Sequence, residues 1–218
     1  MFPYLDPTIV LLIPAVLFSL WAQFKVKGAF SRYSEVRASS GVTADQVSRE
    51  LLDRFGLGNV RVERIQGHLT DHYDPRSKVL RLSDAVAGNS SIAAIGVAAH
   101  EVGHAIQDKE GYAFLRFRNS IVPAVNIGST MSMPLFFIGL IMGSAPLLNI
   151  GILLFCGVLV FHLVTLPVEF DASARALKLL SETGLLKGSE VGGAKAVLDA
   201  AALTYVAALV MTVLQLIR

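Results

Sequence analysis

Hydrophobic residues in this chain gather into four long runs, separated by stretches of ordinary polar and apolar alternation. The runs are Thr8 to Phe24, Ile121 to Gly143, Pro146 to Leu166 and Ala200 to Ile217, and none carries a charged side chain. Each is near the ~17–25 residues that a helix needs to cross a hydrocarbon core. Core helices of soluble proteins rarely run so far without a charge, so the pattern predicts four transmembrane helices. The first run has no Lys or Arg before Lys25 and no Ala-x-Ala cleavage pattern. It reads as a retained anchor over 1–24 rather than a secretory signal peptide.

The intervening segments follow shorter periods. Val42 to Phe55 reads as a helix with Thr43 as N-cap, Val47, Leu51, Leu52 and Phe55 on one face, and Gly56 ending it. Val60 to Ile65 alternates as a strand does, Asp71 to Arg76 has turn chemistry, and Lys78 to Leu82 alternates again. The second of these strands is expected as an edge on which an extended peptide pairs by β-addition. Ser83 is expected to cap a short helix through Val86, with Gly88 breaking it and Asn89 or Ser90 opening a further helix. The fold expected is a mainly α membrane protein of about four transmembrane helices, with a small α+β domain over 25–119. A transmembrane hairpin over 120–167, a helical segment over 168–199 and a C-terminal span over 200–218 complete it.

Composition agrees with this division. Of 218 residues, 53% are hydrophobic and 17% charged, below the ~25% charged usual for soluble domains. Charge also suggests an orientation. Of the 19 Lys and Arg residues, 14 lie between Lys25 and Arg118 and 4 between Arg175 and Lys195. The turn Gly143 to Pro146 has none. Positive-inside logic places 25–119 and 168–199 in the cytoplasm and both termini outside, in a multi-pass protein of the cell membrane. The net charge of +2 gives no reason to propose nucleic acid as a partner. The one cysteine, Cys156, lies in the third span and permits no disulfide within the chain.

The candidate chemistry sits in the helix after Gly88. His100-Glu101-Val102-Gly103-His104 is the H-E-x-x-H pattern. Histidines at i and i+4 share a helix face, so two imidazoles can reach one tetrahedral zinc. Glu101 lies between them as the general base toward a zinc-activated water. The flanks Ser91 to Ala99 and Ala105-Ile106 are apolar nearly all round, so three ionisable groups there are costly unless they serve one another or a metal. A catalytic zinc needs a third protein ligand. Glu169 is favoured, with Asp171 as its rival; Asp171 can instead pair with Arg175 at i+4. Ala172, Ser173 and Ala176 share a face with Glu169, and their small size suits close approach to Gly103. His68 and His72 are further candidates for the metal or substrate, and His162 is an ionisable group inside the third span. Tyr205 and Arg175 are candidates for stabilising an oxyanion.

These segments together resemble a known family. Asp71 to Pro75, Val79 to Ser83, Ala99 to Ala105, Pro167 to Ser173 and Leu203 to Ala208 are similar to the YugP-type neutral zinc metallopeptidases of bacterial membranes, over nearly the whole chain. More distantly the chain resembles gluzincins of the HtpX and CAAX prenyl endopeptidase group. The resemblance implies a zincin-like domain facing the cytoplasm, one zinc ion per chain on His100, His104 and Glu169, Glu101 as base and a polypeptide substrate. Wider gluzincins often place an Asp four residues after the ligand Glu. Ser173 stands there in this chain, and either Ser173 or Asp171 is expected to support a zinc histidine. The alternatives are an adaptor whose zinc is structural and closed by a fourth ligand such as His72 or Asp171, and a zinc hydrolase acting on a non-peptide bond.

Overall fold

The computed structural model describes residues 7–218, so the first six residues of the 1–24 anchor lie outside the described residues. A 3-10 turn, Pro7–Leu12, leads into α1 (Ile13–Ser34). Then follow α2 (Ala44–Arg54), β1 (Arg61–Ile65), β2 (His72–Asp74), β3 (Val79–Ser83), α3 (Ile92–Glu110), α4 (Ala113–Met142), α5 (Ala145–Glu182) and α6 (Ser189–Ile217). Among the described residues, four helices are long and apolar enough to cross a membrane: Thr8–Ser34, Ala113–Met142, Ala145–Glu182 and Ser189–Ile217. Only 11–22% of their most apolar windows is buried within the protein. Their hydrophobic side chains therefore face outward, as a soluble core helix would not allow.

The chain divides into two compact units. One takes the described part of Met1–Ala22 with Ala113–Pro167 and Leu203–Arg218. Within it α4 and α5 form a hairpin, turned at Gly143 in the left-handed region (φ 63°). Small residues let these two helices touch: a Cβ on Gly151 would meet the Ser132 carbonyl oxygen at 2.8 Å.

The other unit joins Gln23–Tyr112 to Val168–Ala202. Its core gathers Val47, Leu51 and Leu52 of α2, Leu80 and Leu82 of β3, Ile95, Val102 and Ile106 of α3, and Leu180 of α5. The α2 helix starts as its sequence predicts, with Gln46 Oε1 accepting from the Thr43 amide at 3.1 Å. Gly56 follows it in the left-handed conformation (φ 62°).

Four local expectations are corrected. The strand expected over Lys78 to Leu82 is β3 (Val79–Ser83), and it is no edge. It pairs parallel with β1 and antiparallel with β2, in the order β1-β3-β2. Residues 72–74, expected within a turn, are β2, because pairing with Val79 to Arg81 overrides their turn-like composition. The short helix after Ser83 is a turn, closed by the Val86 and Ala87 amides on the Ser83 carbonyl. The N-cap of α3 is Ser91, whose side chain accepts from the Ala94 amide at 3.2 Å; Asn89 receives the Ser91 amide one step earlier.

Candidate metal centre

The site is assembled within the second unit, from one face of α3 and the part of α5 that begins at Val168. His100 and His104 stand one turn apart on α3, with Glu101 between them. Glu169 comes from α5. His104, Glu101 and Glu169 are buried and His100 nearly so. The helices approach closely because residue 103 is glycine: a Cβ there would lie 2.6 Å from the Ala172 carbonyl oxygen.

Three donor atoms converge. His100 Nε2 lies 3.1 Å from His104 Nε2 and 3.2 Å from Glu169 Oε2, and His104 Nε2 lies 3.6 Å from that same oxygen. Ligands ~2.0–2.1 Å from a tetrahedral zinc are roughly 3.3–3.4 Å apart. The triangle of two nitrogens and one carboxylate oxygen therefore has the size and chemistry of a zinc site. Each imidazole uses its other nitrogen on a neighbour. His100 Nδ1 lies 3.1 Å from Ser173 Oγ, and His104 Nδ1 lies 3.0 Å from Gln107 Oε1.

Glu101 points elsewhere. Its Oε2 accepts from the Tyr73 amide of β2 at 3.0 Å. Burial pushes its pKa up to about 7; the negative charges of Glu169 and Asp71 add to the rise, and His100 and the Tyr73 hydrogen bond oppose it. Tyr73 is fixed in turn. Its hydroxyl donates to Asp108 at 2.7 Å, and Lys78 Nζ reaches the same carboxylate oxygen at 2.5 Å. Burial, then the bond to Asp108, raises the Tyr73 pKa, so the phenol stays a donor.

The sequence profile of a family described as "Putative neutral zinc metallopeptidase" matches residues 8–218. The chain belongs to that family. It is 49% identical over 210 residues to "Putative membrane protease YugP" of Bacillus subtilis (strain 168), covering 96% of this chain and 93% of that protein. No solved structure matches it. Zinc is thus the cofactor of this metallopeptidase family, and His100, His104 and Glu169 are positioned to bind one ion. Among the described residues they are the group of three or more metal-ligating side chains that the structure brings together.

The remaining candidates take other places. The Asp171 carboxylate receives Gln107 Nε2 at 2.7 Å and Arg175 Nε at 2.6 Å, outside the donor triangle. Arg175 also donates to Glu110 at 2.6 Å. His72 Nδ1 donates to the Thr70 carbonyl at 2.9 Å and its Nε2 faces Arg81. His68 packs edge-on against Phe30. Tyr205 and His162 belong to the other unit. Of the two suggested supports, Ser173 lies against His100 directly, and Asp171 is linked to His104 through Gln107. Gln107 is the residue that sequence reasoning missed. Its signal is a polar side chain one turn after a ligand in an otherwise apolar helix.

Proposed function

We propose that this protein is a membrane-embedded zinc endopeptidase whose site faces the cytoplasm, with Glu101 as general base. The observation that carries the reading is the triangle of His100 Nε2, His104 Nε2 and Glu169 Oε2 beside a buried carboxylate. Three donors are the ligand count of catalytic zinc sites; structural sites use four. The fourth ligands that an adaptor would need, His72 or Asp171, are engaged elsewhere.

Zinc, when bound, supplies Lewis acidity toward water and toward a peptide carbonyl. The chain's residues do the rest. His100, His104 and Glu169 hold the ion. Glu101 has Oε2 held by the Tyr73 amide, which leaves Oε1 to take the proton of the attacking water. The same carboxyl group then returns that proton to the leaving amine. The unit of Gln23–Tyr112 and Val168–Ala202 is then the peptidase domain.

Detergent-purified protein is expected to carry about one zinc per chain and to cleave an unfolded polypeptide. Glu169→Ala should lose the zinc. Glu101→Gln should keep it and cleave about 10²–10⁴-fold more slowly. Cleavage by Glu101→Gln at the wild-type rate would rule the mechanism out.

A further inference from the structure

The two histidines of the metal centre are not held alike. Ser173 offers His100 a hydroxyl, which donates or accepts as required. Gln107 offers His104 one end of a carboxamide, which is an acceptor or a donor according to how the amide is turned. That choice is made by the far end of the same side chain.

Gln107 is completely buried on α3, one turn beyond His104. Its Nε2 lies 2.8 Å from the Val168 carbonyl oxygen and 2.7 Å from Asp171 Oδ2. Both partners only accept. The Asp171 oxygen is itself anchored by Arg175 Nε at 2.6 Å, and Arg175 reaches back to Glu110 on α3 at 2.6 Å. Turning the amide over would set its oxygen against a carbonyl and a carboxylate in a buried place, with two donors lost. The amide nitrogen therefore stays toward α5, and Oε1 stays toward His104. An oxygen that accepts from Nδ1 at 3.0 Å requires a proton on Nδ1.

We propose that Gln107 is a positioning residue that fixes His104 in its Nδ1-protonated tautomer, so that Nε2 presents a lone pair to the metal position before any metal arrives. Asp171 and the Val168 carbonyl set the polarity of Gln107, and Arg175 and Glu110 hold Asp171. Ser173 imposes no such constraint on His100, whose Nε2 faces the Glu169 carboxylate at 3.2 Å. The inference rests on the zinc-peptidase reading only for the identity of what meets Nε2.

The test uses the full chain in detergent, labelled with ¹⁵N-histidine, metal-free, at about pH 8. His104 is expected as the single Nδ1–H tautomer. Gln107→Glu still sets an acceptor oxygen against Nδ1 and should keep the Nδ1–H tautomer, whereas Gln107→Met keeps the length without polarity and, once folded, should lose the single tautomer at His104. Zinc affinity of Gln107→Met by chelator competition should fall about 10–100-fold. A wild-type His104 protonated at Nε2 overturns the proposal even if neither variant folds. So does a folded Gln107→Met that keeps both the tautomer and zinc affinity within about twofold of wild type. Wild type that holds the tautomer but takes up no zinc would defeat the peptidase reading and leave this inference standing.

Discussion

At the scale of single residues, the site is costly to the fold that carries it. Glu101 ordinarily ionises with a pKa of 4.5, and burial raises this to about 7. The folded chain thus binds a proton that the unfolded chain has released. Stability from this group is greatest below the unfolded pKa and declines as pH rises from about 4.5 through about 7. Above that range the buried carboxylate costs the metal-free protein about 3 kcal/mol. Metal-free Glu101→Gln should therefore melt at a higher temperature than metal-free wild type near pH 8, and the gap should shrink toward pH 5. A variant that melts below wild type near pH 8 would contradict this account. The identities of these residues were legible in the sequence: His100, Glu101 and His104 from spacing, and Glu169 from its place after the second hairpin span. Gln107 was not, because its importance arises from Val168 and Asp171 on another helix.

At the scale of elements, the contact between α3 and α5 decides whether the triangle closes. Gly103 sits against the Ala172 backbone, and an added Cβ would fall 2.6 Å from its carbonyl oxygen. Backbone cannot move aside as a flexible side chain can. Gly103→Ala should destabilise by about 1–3 kcal/mol and weaken zinc binding, since Glu169 rides on the displaced helix. Gly96 is the comparison, because its Cβ would meet the Ala194 side chain at 3.2 Å. Gly96→Ala should leave zinc affinity close to wild type. Thermal melts and chelator titrations of both variants check this, and equal zinc affinity in wild type and Gly103→Ala would refute it. The long elements were legible because periodicity, caps and Gly56 agree locally. The three-residue β2 was not, because its existence depends on pairing with β3. The same non-local pairing moved β3 from edge to centre.

At the scale of the whole molecule, the four apolar helices were legible from length alone, and their outward-facing hydrophobic surfaces agree with spans in lipid. The orientation we propose, with Gln23–Tyr112 and Val168–Ala202 in the cytoplasm, has a direct test. In a Cys156→Ser background, a cysteine at exposed Ser77 should resist a membrane-impermeant thiol reagent in intact cells, and one at exposed Ala145 should react. The reverse labelling would invert the topology. The ligands also have a temporal meaning. His100 and Glu169 stand 69 positions apart, with the α4–α5 hairpin between them. A ribosome that has finished the H-E-x-x-H helix has still to make both hairpin spans before the last ligand exists. The three metal-ligating side chains therefore do not coexist in the nascent chain until most of the protein has been synthesised.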